Sequence, residues 1–378
     1  MRLVPVGSIK IGSVLAKIVY DDDGRILLNH GVQLSDSLIQ RLIDNQVIAV
    51  HIHDSYSTTE IVDVITPELR LKATKEIRDV FKSVKLQVEK SIKAIQGDKS
   101  QLNKKLNLMV DQKYLQDLDG IISDMINEIT VNKDAMIGLV DIKNMKNFVY
   151  QHSIQVTVLS LLIGASLKMN KYMLKDLAIG AMLHDIGLTF LNKELVIYKN
   201  SFTDEEKETY KGHAQAGFDF IKENTILSTH ARMGILEHHE EYSGKGYPLG
   251  LVGDNIHLNA RIICVANVYD KMSSGVTGVL VPPNEILEFI MGNSGKGRMF
   301  DLEIAKHFVH KVIPFPIGSH VLLSTGERAI VVNYNSNHPL RPYIKVLIDG
   351  KKVEELKLVN LLDHNKLNIT IKKMIYDD

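Results

Sequence analysis

One cysteine, Cys264, in 378 residues excludes an intrachain disulfide and any zinc site built from several thiolates, which fits a reducing compartment. No sign of charge prevails either. Forty-five Lys and Arg face 45 Asp and Glu, so no global field draws the chain to a nucleic-acid polymer or an anionic membrane, and any bound anion must be held locally. No long apolar run opens the chain, and the longest, Ser153 to Leu167, is short and contains Gln155. This predicts no export signal and no membrane span, and places the protein in the cytoplasm. Low-complexity tracts and internal repeats are lacking as well. What is present is 45% apolar content, ample for a large core in a chain whose length predicts two or three domains.

Three textures follow one another. Residues 1–60 read as a small α+β unit: short strand-like runs flank a turn at Asp23-Gly24, and a helix starting at Ser35 carries Leu38, Ile39, Leu42 and Ile43 on one face. Residues 61–131 read as helical. Thr66 and Pro67 form a cap and first-turn pair, and Ala73, Ile77, Phe81, Val84, Val88, Ile92 and Ile95 recur at spacings of three and four. Such a stripe packs either on its own domain or against a second copy of the chain as a homodimer helix. Residues 132–313 read almost wholly as helix, and 314–378 as a β-rich domain with strands at Val321 to Leu323, Ala329 to Val332 and Tyr343 to Ile348, the last ending in an Asp349-Gly350 turn. The fold class expected is therefore mainly α, with small units at either end.

Chemistry concentrates in the helical region, where six histidines lie between His152 and His239. His152 in YQHSIQV, the dyad His184-Asp185 in MLHDIG, His213 in YKGHAQAG and the pair His238-His239 in LEHHEEYSGKGYP all sit in or beside apolar stretches, where an unpartnered imidazole or carboxylate is costly. Histidines with a carboxylate suit iron, manganese or zinc. A carboxylate has two oxygens and can bridge two cations; a metal pair roughly 3.5 to 4 Å apart activates water and clamps a phosphodiester for in-line attack. In SGKGYP, Gly244 and Gly246 permit backbone angles closed to other residues, which predicts a shaped loop bringing Lys245 to a phosphate and Tyr247 to a guanine face, or else an ordinary tight turn.

His184 to Gly187 (HDIG), His238 to Glu240 (HHE) and Gly246 to Pro248 (GYP), in that order and with His152 upstream and His213 between, resemble the HD-GYP family, a branch of the HD phosphohydrolases that hydrolyses cyclic di-GMP. The resemblance covers about residues 132–313 and implies an HD-type helical bundle. It implies that His152, His184 and Asp185 hold one divalent metal, and that Asp185, His213, His238 and His239 hold a second. Iron or manganese leads zinc, and Asp185 and His184 stand at the centre of catalysis. Asn267 occupies the position of a further metal-ligand aspartate, because VANVYDKM stands where the family reads VADxYDAL. Other departures are Leu188 for the lysine of HDIGK, Phe148 for a glutamate of a third metal site, Val276 to Val279 for an RPYR-like segment, and Ser243 for an aspartate before GYP. They imply a weaker first metal and a weaker grip on the dinucleotide. The alternatives are a member that binds metal, nucleotide or partners without efficient hydrolysis, and an HD phosphohydrolase of another nucleotide.

Other features read as structural. Gly292 to Arg298 lacks the frame of a phosphate loop and reads as a surface loop, Cys264 in IICVA as a core thiol, His51 and His53 as strand histidines, and the lysines from Lys72 to Lys105 as a solvated helix face.

Overall fold

The computed structural model describes residues 2–21, 25–53, 63–94, 112–131, 147–191, 202–276, 281–335, 338–348 and 355–375. The turn pairs Asp23-Gly24 and Asp349-Gly350, Ile95, and residues 277–279 of the VTGV segment lie outside the described residues, as does the side chain of Ile92.

Strands β1 (Arg2–Pro5), β2 (Val14–Leu15) and β5 (Ala49–His53) form an antiparallel sheet in the order β1-β5-β2, beside the pair β3 (Val19–Tyr20) and β4 (Ile26–Leu28). Helix α1 (Asp36–Asp44) starts where the sequence puts it, with the Ser35 hydroxyl accepting from the Leu38 N–H. Leu42 is buried and Leu38 and Ile39 pack partly against the same small core, but Ile43 is 47% exposed, because the buried face is narrower than the expected stripe.

The central body consists of α2 (Pro67–Ala94), α3 (Gln112–Val131), α4 (Phe148–Ser166), α5 (Lys171–Leu183), α6 (Asp204–Asn224), α7 (Thr229–Leu236), α8 (Leu258–Ser273), α9 (Pro283–Gly292) and α10 (Leu302–Val309). Helix α4 is its axle. It packs on α2, α3, α5, α8 and α10, so apolar residues face every direction around it. That explains its composition: among the described residues it is the one helix long and apolar enough to cross a membrane, and 78% of its apolar window is buried inside the protein.

Helix α2 packs within the chain through the described part of its stripe. Ala73, Ile77, Phe81, Val84 and Val88 are buried in the same core as Leu118, Ile121, Ile122 and Met125 of α3, and Phe81 meets Tyr150 of α4 edge-on at 5.6 Å. These five residues of the stripe are thus covered within the chain, where each large apolar side chain contributes about 1.5–3 kcal/mol. Thr66 links the pair further, its N–H and hydroxyl donating to the Glu128 carboxylate.

The C-terminal sheet runs β10-β6-β7-β8-β9, from β6 (His320–Leu323), β7 (Arg328–Asn333), β8 (Tyr343–Val346), β9 (Leu358–Asn360) and β10 (Ile371–Ile375). Val321, Leu323, Ala329, Val331 and Ile344 alternate onto one buried face. The chain is mainly α, with a β-rich unit at the C-terminal end, as expected.

Candidate metal centre

Five segments of the helical body deliver one cluster. His152 projects from α4, one turn after Phe148, whose ring stacks on the imidazole at 5.4 Å. His184 closes α5 and Asp185 opens the 3-10 turn Ile186–Phe190. His213 sits mid-way along α6, His238 and His239 follow α7, and Asn267 lies on α8. His152, His184, Asp185, His213 and His238 are fully buried. The glycine of HDIG is a packing requirement: a Cβ on Gly187 would lie 1.9 Å from the His213 carbonyl oxygen, so only glycine lets the turn approach α6 at this histidine.

The two oxygens of Asp185 divide the histidines between them. Oδ2 lies 3.3 Å from His184 Nε2 and 3.8 Å from His152 Nε2; Oδ1 lies 3.2 Å from His213 Nε2 and 3.7 Å from His238 Nε2. The donor sets His152, His184, Asp185 and Asp185, His213, His238, His239 each gather within 4.8 Å. These are the two sets that the family resemblance implies.

The other ring nitrogens fix what these atoms offer. The Nδ1–H of His184, His213 and His238 donates to the carbonyls of Ala181, Tyr210 and Ile235 at 2.7, 2.6 and 2.7 Å, and that of His152 to Asp270 Oδ2 at 2.6 Å. In the neutral imidazole each Nε2 is therefore a lone pair, and the second partner sets the tautomer as it does for metal-bound histidines. His213 and His238 bring two such lone pairs within 3.2 Å of each other. Both Asp185 oxygens, Nε2 of His152, His184 and His239, and Asn267 Oδ1 are buried without a hydrogen-bond partner. Protons do not relieve this crowd of acceptors. Burial is the largest influence on both His152, lowered to about 4, and His238, lowered to about 3, and it likewise holds His239 well below the usual imidazole range. Burial opposes ionisation of Asp185, but His184, Lys271 and His213 outweigh it and keep the carboxyl well below its ordinary value. Imidazoles at His152, His238 and His239 that resist protonation, beside an ionised Asp185, fit cations.

The GYP segment is built onto this cluster. A Cβ on Gly246 would lie 2.2 Å from the Glu241 nitrogen and 2.5 Å from the Glu240 Cα, so the loop folds tightly back on HHE. Gly244 adopts φ +84°, as the sequence implied. Glu240 holds the far limb: Oε1 accepts from the N–H of Leu249 at 2.6 Å and of Gly250 at 3.1 Å, and Oε2 from Leu251 at 3.0 Å. Tyr247 stacks on His239 at 4.6 Å and 19°, so one of its faces is already taken by a candidate ligand rather than offered to a base. Lys245 is exposed on the rim. Cys264 is a buried thiol that burial pushes up to about 12, which makes it inert. His51 and His53 are outside both donor sets; His51 is buried in β5 and His53 exposed. The loop from Gly292 to Arg298 stays a turn after α9, with Gly295 and Gly297 at positive φ.

Three roles escaped the sequence reading: Asp270 as the orienting partner of His152 rather than a candidate ligand, Glu240 of HHE as the brace of the loop, and Lys271, which hydrogen-bonds Tyr210 beside the cluster. Spacing alone marked two of them, since Asp270 and Lys271 fall at i+3 and i+4 from Asn267 and share its helix face.

The family model of the HD domain matches residues 137–293, and that of a KOW domain associated with the HD domain matches residues 320–375. The chain is 27% identical over 233 residues to the cyclic di-GMP phosphodiesterase PA4108 of Pseudomonas aeruginosa, covering 61% of this chain and 56% of that protein. It is 26% identical over 232 residues to the cyclic di-GMP phosphodiesterase PdeB of Borreliella burgdorferi, covering 61% and 60%. A shorter match, 32% over 123 residues, joins it to the 3'3'-cGAMP-specific phosphodiesterase 3 of Vibrio cholerae, covering 32% and 26%. The matches to the first two thus span somewhat more than half of those relatives' length.

Proposed function

We propose that this chain, whose HD-domain match spans residues 137–293, is an HD-GYP-type metal-dependent phosphodiesterase that hydrolyses cyclic di-GMP. One observation carries the reading: a buried carboxylate, Asp185, turns each of its oxygens to a separate set of histidine lone pairs. Divalent ions bound in the two sets supply Lewis acidity toward water and toward a phosphodiester. The chain's own residues hold and shape that site. Asp185 shares its charge between the sets, and backbone carbonyls keep three imidazoles in the ligating tautomer. Asp270 does the same for His152 with a full negative charge. Gly246 and Glu240 fold the GYP loop onto the HHE segment and press Tyr247 onto His239. The donor set, nitrogen and carboxylate oxygen without thiolate, favours iron or manganese, with zinc third, and two ions in all. A cyclic dinucleotide substrate and a single buried thiol fit a cytoplasmic enzyme.

A second reading has its own observation. Asn267 brings an amide where a carboxylate would add charge, and Leu188 is 2% exposed where the family carries lysine, both of which favour binding without efficient turnover. Protein prepared anaerobically, analysed for metal and incubated with cyclic di-GMP and, separately, 3',3'-cGAMP decides between them. Release of linear dinucleotide or mononucleotide from cyclic di-GMP is expected. Both sets filled with no cleavage of either nucleotide would establish the binding reading, and preferential cleavage of cGAMP would reassign the substrate.

A further inference from the structure

Helix α8 turns one face into the site. Asn267 and Asp270 lie on it, both nearly fully buried, and Lys271 follows at the fourth position from Asn267, on the same face. Lys271 is half-buried and donates to the Tyr210 hydroxyl. Tyr210 is itself part of the wall: its carbonyl accepts the His213 Nδ1–H at 2.6 Å, and its ring lies 4.9 Å from that imidazole. The ammonium is close enough to act electrostatically on Asp185, His152 and His239, members of both donor sets. Asp185 and Asp270 act on the ammonium in turn, and a lysine drawn toward these carboxylates beside a cluster that fits cations is placed to meet an anion that joins them. A phosphodiester is such an anion.

We propose that Lys271 is the cation that binds the substrate phosphate, supplying from α8 the charge missing at Leu188 after HDIG; this rests on the phosphodiesterase reading above. The exchange is consistent within the helix. Asn267 adds no negative charge one turn from Lys271, which leaves Asp185 and Asp270 as the carboxylates acting on the lysine. As a compact point charge on a flexible stem, held by Tyr210, it suits a phosphate oxygen. Lys245, exposed on the rim, is then an accessory contact.

The test uses the metal-loaded full chain and inorganic phosphate as the probe, with metal affinity measured in parallel by calorimetry. Lys271→Met should weaken phosphate binding by about tenfold to a hundredfold while leaving metal affinity unchanged or tighter, because a repelling charge has gone. Lys271→Arg should restore most of the phosphate affinity. Damage to the fold would lower both affinities together, and that result, or unchanged phosphate binding in Lys271→Met, overturns the proposal. The outcomes also separate the two readings. Phosphate bound through Lys271 by a protein that cleaves no cyclic dinucleotide retires the phosphodiesterase reading and leaves this one standing. Hydrolysis whose kcat and KM survive Lys271→Met does the reverse.

Discussion

The two sides of Asp185 are built differently. On the Oδ1 side stand His213, His238 and His239, the first two aligned by backbone carbonyls and the third stacked under Tyr247. On the Oδ2 side stand His184 and His152, the position that the family resemblance gives to a further carboxylate being held by the neutral Asn267, and His152 depends on a side chain, Asp270, for its orientation. Carbonyl partners come with the helix and cannot be lost by substitution; a side-chain partner can. The Oδ1 side should therefore fill first and hold its ion more firmly, and the Oδ2 side is where affinity is adjustable.

Asp185→Ala should erase the comparison altogether. It removes the charge shared by both sets, leaving buried neutral histidines whose lone pairs repel, so metal content should fall to background at both positions and hydrolysis with it. Metal analysis checks this, and one ion retained per chain would show that the carboxylate does not serve both sides.

Acid should break the sides in order. In the metal-free protein His152 is lowered to about 4 and His238 to about 3, chiefly by burial. Between those values and the ordinary 6.5 of histidine the unfolded chain binds more protons than the folded one. The resulting stability is full above pH 6.5 and is lost as pH falls, by a few kcal/mol in total. His152 should take its proton first, with Asp270 as counter-charge. Urea unfolding at pH 8, 6 and 5 should show falling midpoints, and histidine NMR should report His152 titrating before His238; a midpoint flat from pH 8 to 5 would contradict the buried neutral state of these two.

Asp270→Asn is a milder change confined to one side. The amide oxygen still accepts the His152 Nδ1–H, but without the charge that raises imidazole basicity, so affinity at the Oδ2 side should drop by about 10- to 100-fold while the Oδ1 side keeps its ion. Anomalous scattering from the two positions distinguishes them, and equal losses at both would mean that Asp270 acts on the cluster as a whole.

How much of this was legible in the sequence follows the range of each interaction. His152, His184, Asp185, His213, His238 and His239 stood out because polar side chains interrupt apolar helices, a local signal. The helical body and strands β6 to β8 were readable for the same reason: their buried faces repeat at the helix or strand period. The Asp270–His152 bond joins residues 118 apart, and no spacing rule reaches that far. Lys271 was invisible for the opposite reason, since a lysine on a helix usually reads as solvated face. Strand β10 was missed because Lys372 and Lys373 face solvent on an edge strand, where alternation is weak and lysine is the expected guard. The α2 stripe was seen in sequence, but its partner became evident only when α3 and α4 closed over it.

Asn267→Asp tests the comparison with the smallest step. Asn267 is 2% exposed and its Oδ1 has no hydrogen-bond partner, so the position is already shaped for an oxygen directed inward. Replacing the amide by a carboxylate changes one group and adds one charge. With an ion present that charge deepens the Oδ2 side, and a gain of about tenfold in its metal affinity is expected from an interaction of about 1.4 kcal/mol. Without an ion the same carboxylate is a buried charge with no partner and should destabilise the metal-free protein, so the variant gains in loaded and loses in unloaded melting temperature. The opposed signs are the useful part. A carboxylate that merely disturbed packing would lower both temperatures, and one that paired with Lys271 instead of an ion would raise the unloaded one. Only a ligand position produces the split, and with it the two sides of Asp185 should become nearly equal in occupancy.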